Sequence, residues 1–241
     1  MAEKRKIYTS FHDIPPREYM YFPKGTLEMG KPGKFSRIEI WHLLISIGVL
    51  TIAFSFALTK LSQNNMFLVT NINALLYLIP LCFFGVVTAF FFHEISHKFM
   101  AQKHGLWSEY RMFPQGLILA LIIGFFSPLV FAAPGAVMFR GGSRTFETGQ
   151  IAVAGPLANI LIALITLPIY LYVVFEESIL AQIVGFICLI NAVLAVFNLL
   201  PLGPLDGIKV IRWNATVWII LFSIAIAMMI IFLRFSPIVT F

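Results

Sequence analysis

Two histidines and a glutamate stand together in the run His93-Glu94-Ile95-Ser96-His97, which has the pattern HExxH. Residues four apart share one face of an α-helix and lie about 6 Å apart along its axis, so both imidazoles can bind one Zn²⁺. The glutamate lies beside the metal, where it can hold a water molecule and accept its proton. The pattern therefore predicts a hydrolytic zinc site with His93 and His97 as ligands and Glu94 as general base.

The surroundings of this motif strengthen the prediction. It ends a long run of apolar residues, and the first base that follows it is Lys98. A charged residue inside a membrane span costs about 2.5–3.5 kcal/mol on insertion scales, so a charge in that place usually serves a function. The alternative is that these side chains are interfacial and reach towards the lipid headgroups.

A third ligand is required, because catalytic zinc normally has three protein ligands and one open position. The candidate is Asp206, since the other aspartate of the chain, Asp13, lies in a polar N-terminal segment. Asp206 belongs to NLLPLGPLDG (198–207), whose prolines and glycines prevent a regular helix and can turn the carboxylate back into the protein. An isolated LDG would more often be an ordinary turn. The role of Asp206 therefore depends on the topology.

The composition indicates a membrane protein. Of 241 residues, 59% are hydrophobic and 12% are charged, which is about half the charged fraction of a soluble domain. The net charge of +6 is better explained by positive loops that face anionic lipid than by a nucleic-acid site. We therefore expect the lipid bilayer, and no nucleic acid, as a partner. Cys82 and Cys188 lie in apolar runs and are expected to be packing residues.

The apolar runs predict an all-α polytopic membrane protein with about five full transmembrane helices and a re-entrant hairpin-like segment. Residues 1–40 are expected to form a polar arm at the cytoplasmic surface or interface, and residues 41–241 the membrane domain. The expected spans are 41–59, a helix that begins near Ile72 and continues past Lys103, 151–175, 179–199 and 215–233.

The segment 112–139 suits neither one span nor two. It carries no charge and contains Pro128 and Pro134. One helix of this length would measure about 42 Å, whereas two spans need roughly 40 residues. A re-entrant hairpin, broken at Ser127–Pro128 or at Pro134–Gly135, fits better. Such backbone occurs at membrane depth only where protein covers it or where it lines a wet cavity.

The basic residues indicate the orientation. They cluster after the second span, before the third and before the last, whereas the connection between the third and fourth spans has glutamates and no base. All clusters face one side if the N-terminus is cytoplasmic and the hairpin returns to the side where it began. Asp206 then reaches the face where His93 and His97 emerge, near the cytoplasmic side. A single crossing by the segment 112–139 would place Asp206 on the opposite face.

Three motifs in this order resemble the site-2 protease family of intramembrane zinc metalloproteases. They are HEISH in an apolar helix, AGPLAN (154–159) in the next span and FNLLPLGPLDG (197–207). The match covers about residues 75–211, which would be the protease core. The resemblance implies an enzyme, a zinc metalloendopeptidase that binds one Zn²⁺ per chain and hydrolyses peptide bonds of transmembrane protein substrates.

The resemblance also implies roles for single residues. His93, His97 and Asp206 would be the metal ligands, and Glu94 would be the general base. Asn159 and Asn198 would lie near the site and bind the substrate backbone or the oxyanion.

The residue types alone allow a simpler role for asparagines inside a membrane. A third one, Asn191, is expected to form hydrogen bonds between helices, which contribute about 0.6 kcal/mol each on average.

Two other functions fit part of the pattern. A zinc protease with HExxH and a distal glutamate ligand, of the kind that processes prenylated proteins, needs a glutamate on a later helix. The later glutamates are Glu147, Glu176 and Glu177, and all lie in short predicted connections. A metal-binding membrane transporter or a catalytically inactive protease homologue would keep the ligands. An unaltered HExxH argues against an inactive homologue, because its glutamate serves catalysis rather than binding.

Overall fold

The computed structural model describes residues 34–63, 72–128, 130, 134–140, 145–176 and 178–235. Most of these residues are helical, and within these ranges five helices are long and apolar enough to cross a membrane. The predicted fold class, an all-α polytopic membrane protein, is confirmed. Residues 1–33 of the predicted polar arm lie outside the described part.

The α-helices are numbered in chain order. Their bounds are α1 (Arg37–Gln63), α2 (Ile72–Val86), α3 (Phe92–Lys103), α4 (Pro114–Phe126), α5 (Thr145–Val173), α6 (Ile179–Asn198), α7 (Asp206–Trp213) and α8 (Ala215–Phe235). A π-helical turn, Val87–Phe91, joins α2 to α3, so that Ile72–Lys103 forms one continuous span.

This second span ends at Lys103, whereas the sequence suggested that the helix continues further. The cause is Gly105, which has a φ of 73°. The N–H of Gly105 bonds the carbonyl of Gln102, and the N–H of Leu106 bonds that of Ala101. This pair of bonds closes a helix with a left-handed residue just past its end, a conformation that glycine adopts without strain.

The segment between α3 and α5 returns to the place where it begins. Strand β1 (Trp107–Met112) pairs antiparallel with strand β2 (Gly135–Arg140), and α4 lies between them in the chain. Helix α4 ends at Phe126, next to the predicted break at Ser127–Pro128. Lys60, near the far end of α1, donates a hydrogen bond to the Phe125 carbonyl in the last turn of α4. The hairpin segment therefore contains a helix packed along α1 and a strand that pairs with β1.

A buried charge cluster ties the start of α1 to the helix that carries the HExxH motif. We define it as Glu39 in α1, Lys98 in α3, and Glu109 and Arg111 in β1. Lys98 donates to Glu39, and Arg111 pairs with Glu109. The second carboxylate oxygen of Glu39 accepts the backbone N–H of Tyr110 at 2.9 Å. The cluster therefore fixes α1 and β1 against α3.

Small residues allow α5, α6 and α8 to pack closely. The contact between them buries Ala163, Cys188, Ala192, Ala195 and Ala225. Small side chains let helix backbones approach each other, which strengthens the van der Waals packing that holds helices together in lipid. Both cysteines are buried and unpaired, in agreement with the packing role expected for them.

Candidate metal centre

His93 and His97 lie one above the other on α3, and both face α5. Their ring centroids are 4.6 Å apart. Helix α5 comes nearest at Gly155, where an added Cβ would lie 2.7 Å from Nε2 of His93 and closer still to Nε2 of His97. Any larger residue at position 155 would fill the space where the two imidazoles converge. The glycine therefore leaves a cradle at the point where the HExxH pattern predicts a metal.

Each histidine turns its Nδ1 atom away from this cradle. Nδ1 of His97 lies 2.7 Å from the carbonyl oxygen of Ile151, and Nδ1 of His93 lies 2.6 Å from Oδ1 of Asn159. A carbonyl oxygen can only accept, so each Nδ1 carries the hydrogen and each neutral ring presents the lone pair of Nε2 to the cradle. Metal-binding histidines are usually oriented in this way.

Asp206, the first residue of α7, completes the predicted group of three. Its Oδ2 atom lies 3.0 Å from Nε2 of His97 and 3.5 Å from Nε2 of His93. The two Nε2 atoms are 3.0 Å apart. Among the described residues, this is the one group of three side chains arranged to hold a metal ion. The structure thus brings together residues that are more than a hundred positions apart in the sequence.

These distances fit a zinc ion. Ligand atoms at 2.0–2.1 Å from a tetrahedral zinc lie roughly 3.3 Å from one another, and the observed separations are 3.0 to 3.5 Å. Two nitrogen lone pairs and a carboxylate oxygen at such distances repel one another unless a cation lies among them. Two imidazoles and one carboxylate are also a ligand set of the catalytic type, which leaves the fourth position open.

Lys209 holds the other oxygen of the Asp206 carboxylate. Its Nζ atom lies 3.0 Å from Oδ1, so that Oδ2 faces the histidines. Burial raises the pKa of Asp206 and the ammonium group of Lys209 lowers it, so Lys209 favours the ionised form, which is the form that binds metals.

Glu94 lies beside the ligand group and outside it. Its Oε2 atom accepts a hydrogen bond from the backbone N–H of Val137 in β2, at 3.2 Å. The side chain is buried and lines the same cavity as the three ligands. The β-strand thus fixes the carboxylate that the HExxH pattern places on α3.

The two asparagines implied by the resemblance have different surroundings. Asn159 is fully buried behind His93. Its amide nitrogen donates to the carbonyl of Ala89 at 2.8 Å and to Oδ1 of Asn191 at 2.9 Å. These contacts favour a role in orienting His93 rather than contact with a substrate. Asn198 lines the cavity, a position that is compatible with contact to a bound peptide.

A cavity of about 380 Å³ opens beside the ligands. Its polar lining includes Glu94, Asp206 and Asn198, and its apolar walls include Leu50 and Phe54 of α1. Its volume lies within the range of sites that hold small molecules or short peptide segments. The metal centre is therefore connected to an apolar cavity between transmembrane helices.

One edge of β2 borders this cavity. The N–H of Val137 donates to Glu94 and that of Tyr110 donates to Glu39, so this opposed pair does not bond across the ladder. In an antiparallel pair such residues alternate with bonded ones. Gly135 and Phe139, two residues before and after Val137, therefore also direct their backbone N–H and C=O groups away from β1. Both residues line the cavity.

In the described part of the chain, no later glutamate joins the ligand group. Glu147 lies in the first turn of α5 and is not among the residues that line the cavity. Glu176 ends the short helix that follows α5, at the other end from Glu147, and Glu177 lies outside the described residues. The structure therefore favours Asp206 over a distal glutamate as the third ligand.

The sequence is similar to two proteins of known name. It is 38% identical over 189 residues to "Putative zinc metalloprotease MJ0611" of Methanocaldococcus jannaschii, a match that covers 78% of this chain and 90% of that protein. It is 30% identical over 157 residues to "Putative zinc metalloprotease YwhC" of Bacillus subtilis, covering 57% of this chain and 70% of that protein. No family model and no solved structure matches the sequence.

Proposed function

Because this chain belongs to the same family of zinc metalloproteases as these two proteins, we propose that it is an intramembrane protease of the site-2 class. Its substrates are membrane-spanning proteins. The proposal depends on the place of the His-His-Asp group, because α3 and α5 are parts of transmembrane spans and the adjoining cavity lies among their apolar neighbours.

In this proposal His93, His97 and Asp206 hold the metal and Glu94 moves protons. A zinc ion held there would supply a Lewis acid for the scissile carbonyl and a water molecule whose pKa is lowered towards about 7. Glu94 accepts the proton of the attacking water and passes it to the nitrogen of the leaving amine. The N–H of Val137 holds one carboxylate oxygen, which leaves the other for the water.

The outward edge of β2 is a candidate binding site for the substrate backbone. A transmembrane helix has its carbonyls bonded internally, so it must unwind before a water molecule can attack one of them. An extended segment can add to an exposed strand edge through main-chain hydrogen bonds. Gly135 and Phe139 supply such groups, Asn198 lines the same cavity, and the apolar walls suit the side chains of a membrane span.

Cleavage by the purified protein tests this function. We expect the detergent-solubilised, zinc-loaded enzyme to cut a single-span substrate within or next to its apolar segment. Removal of zinc with a chelator should abolish the cleavage, and added zinc should restore it. A transporter would instead carry zinc into proteoliposomes with no cleavage, and that result would exclude a protease.

We further propose that the N-terminus and the metal centre lie on the cytoplasmic side. Lys98 and Arg111 are paired within the buried charge cluster, so they do not act as free loop charges. The exposed bases Lys103 and Arg212 carry the argument, because both lie at the end of the molecule that holds the site.

Single cysteines test this orientation in a variant whose two native cysteines are replaced by alanine. Lys103→Cys and Thr145→Cys place thiols at exposed positions on either side of the hairpin segment. Phe175→Cys, 87% exposed, reports on the other end of α5. We expect an impermeant thiol reagent to label the first two from the cytoplasmic face and Phe175→Cys from the opposite face. Reversal of all three would contradict only the orientation, whereas a split between the first two would contradict the re-entrant path.

A further inference from the structure

Three polar side chains meet inside the membrane domain, behind the metal centre. They are Thr88 in the π-helical turn, Asn159 in α5 and Asn191 in α6. Both asparagines are fully buried. A buried amide is costly unless its hydrogens are bonded, so the direction of every bond in this group is constrained.

A backbone carbonyl sets the orientation of Asn191. Its Nδ2 atom donates to the carbonyl of Ile187 at 2.9 Å and to Oγ1 of Thr88 at 3.2 Å. Since a carbonyl oxygen can only accept, the amide nitrogen must occupy this side. The Oδ1 atom of Asn191 therefore faces Asn159 as an acceptor.

Asn159 is oriented by the same logic. Both hydrogens of its amide are used, one by Oδ1 of Asn191 and one by the carbonyl of Ala89 in the π-helical turn. Its own Oδ1 must then face Nδ1 of His93, at 2.6 Å. Turns of this π-helical kind occur frequently at functional sites.

The two metal-facing histidines are thus controlled in different ways. Nδ1–H of His97 donates directly to a backbone carbonyl, that of Ile151. For His93 the acceptor is the side-chain amide of Asn159, which the Ala89 carbonyl and Asn191 orient together. A neutral imidazole can carry its hydrogen on either nitrogen, and only a ring with the hydrogen on Nδ1 offers Nε2 to a metal.

We propose that Asn191 is a positioning residue of the metal centre, which acts through Asn159 to keep the hydrogen of His93 on Nδ1. Asn191 belongs neither to the ligand group nor to the residues that line the cavity. The inference rests on the proposed role of His93 as a ligand. It gives a part in orienting that ligand to Asn191, for which the sequence suggested only hydrogen bonds between helices.

Replacement of Asn191 by leucine is the direct test. Leucine has a similar size but can neither accept from Asn159 nor donate to Ile187. In zinc-free protein labelled with ¹⁵N-histidine, we expect the His93 signals to change from a single form, with hydrogen on Nδ1, to a mixture of both tautomers. Zinc affinity, measured by competition with a chromophoric chelator, should fall about 10-fold, the lower end of the range for residues that orient ligands.

Two further variants separate this role from helix packing. Asn191→Asp, in its protonated form, can still donate to Ile187 and accept from Asn159, so it should keep most of the affinity and the single tautomer. Cys188→Ala alters another buried residue of α6 that packs against α5, and it should leave both readouts unchanged. If leucine prevents folding, Asn191→Ala only removes atoms and is expected to show the same tautomer mixture.

A variant Asn191→Leu or Asn191→Ala that resembles Cys188→Ala in tautomer and in zinc affinity would overturn the inference. Neither readout measures peptide hydrolysis. A failure of the proposed protease function would therefore be seen separately, as a lack of cleavage by the wild-type protein.

Discussion

Replacement of Glu94 by glutamine should leave about one zinc per chain and reduce peptide hydrolysis by about 10²- to 10⁴-fold, the usual contribution of a general base. Glu94 lies beside the three ligands rather than among them, so metal binding does not need its charge. Glutamine keeps an oxygen that can accept the N–H of Val137, which preserves the local geometry. It cannot accept the proton of the attacking water. Metal analysis and initial rates of substrate cleavage, measured on the same preparation, give both values.

Glu147→Gln is the matched control for this variant. Glu147 is also a buried helical glutamate, but it is not among the residues that line the cavity. Its replacement should change the cleavage rate by no more than a few-fold. Loss of zinc from the Glu94→Gln protein together with retained cleavage would reverse the assigned roles.

Asp206→Ala is expected to remove both zinc and activity. Two imidazoles remain, and a catalytic zinc site normally has three protein ligands. Loss of a residue that orients a ligand typically lowers metal affinity by about 10- to 100-fold. Loss of a ligand itself should cost more, so we expect zinc affinity to fall by more than about 100-fold. The fold should persist, because the side chain of Lys209, the partner of Asp206, is 40% exposed and water can solvate its charge. Chelator competition measures the affinity, and thermal unfolding of the zinc-free proteins tests the fold.

The control uses the other aspartate of the chain. Asp13→Ala should match the wild type in zinc content and in cleavage. If Asp206→Ala retained one tightly bound zinc per chain, the third ligand would have to be another residue, and the His-His-Asp assignment would be wrong.

The parts of the site that depend on local geometry could be predicted from the sequence. His93, Glu94 and His97 are adjacent on one helix, so their spacing alone fixes their relation. Asp206 could be placed only through the topology of the whole chain. The prediction that the segment 112–139 returns to its starting side was therefore the step that joined Asp206 to the two histidines, and the antiparallel pairing of β1 with β2 agrees with it.

The strands themselves could not be predicted. Strand β2, GAVMFR, lies in an apolar run that is also typical of a membrane helix, and β1, WSEYRM, is rich in polar residues. The contact between Glu94 and Val137 uses a backbone N–H, which every residue other than proline possesses. Such a contact has no signature in the sequence.

The direction in which a side chain points could not be predicted from the sequence either. The resemblance implies that Asn159 binds the substrate backbone or the oxyanion, whereas its side chain lies behind His93 and is not among the residues that line the cavity. Lys98 seemed to be a loop base that marks the cytoplasmic side, and instead it is fully buried against Glu39. Both differences arise because burial depends on neighbours that are distant in the sequence.

The pairing of Lys98 with Glu39 has a consequence for how the protein can be divided. A fragment limited to residues 75–211 would keep Lys98 and lose its counter-ion. Removal of one partner from a buried ion pair typically costs about 3–5 kcal/mol, a large part of the 5–15 kcal/mol by which most domains are stable. The first transmembrane helix is therefore not a detachable anchor. It is an inseparable part of the catalytic unit, and a chimaera that exchanges this helix with that of a relative must preserve the acidic residue at position 39.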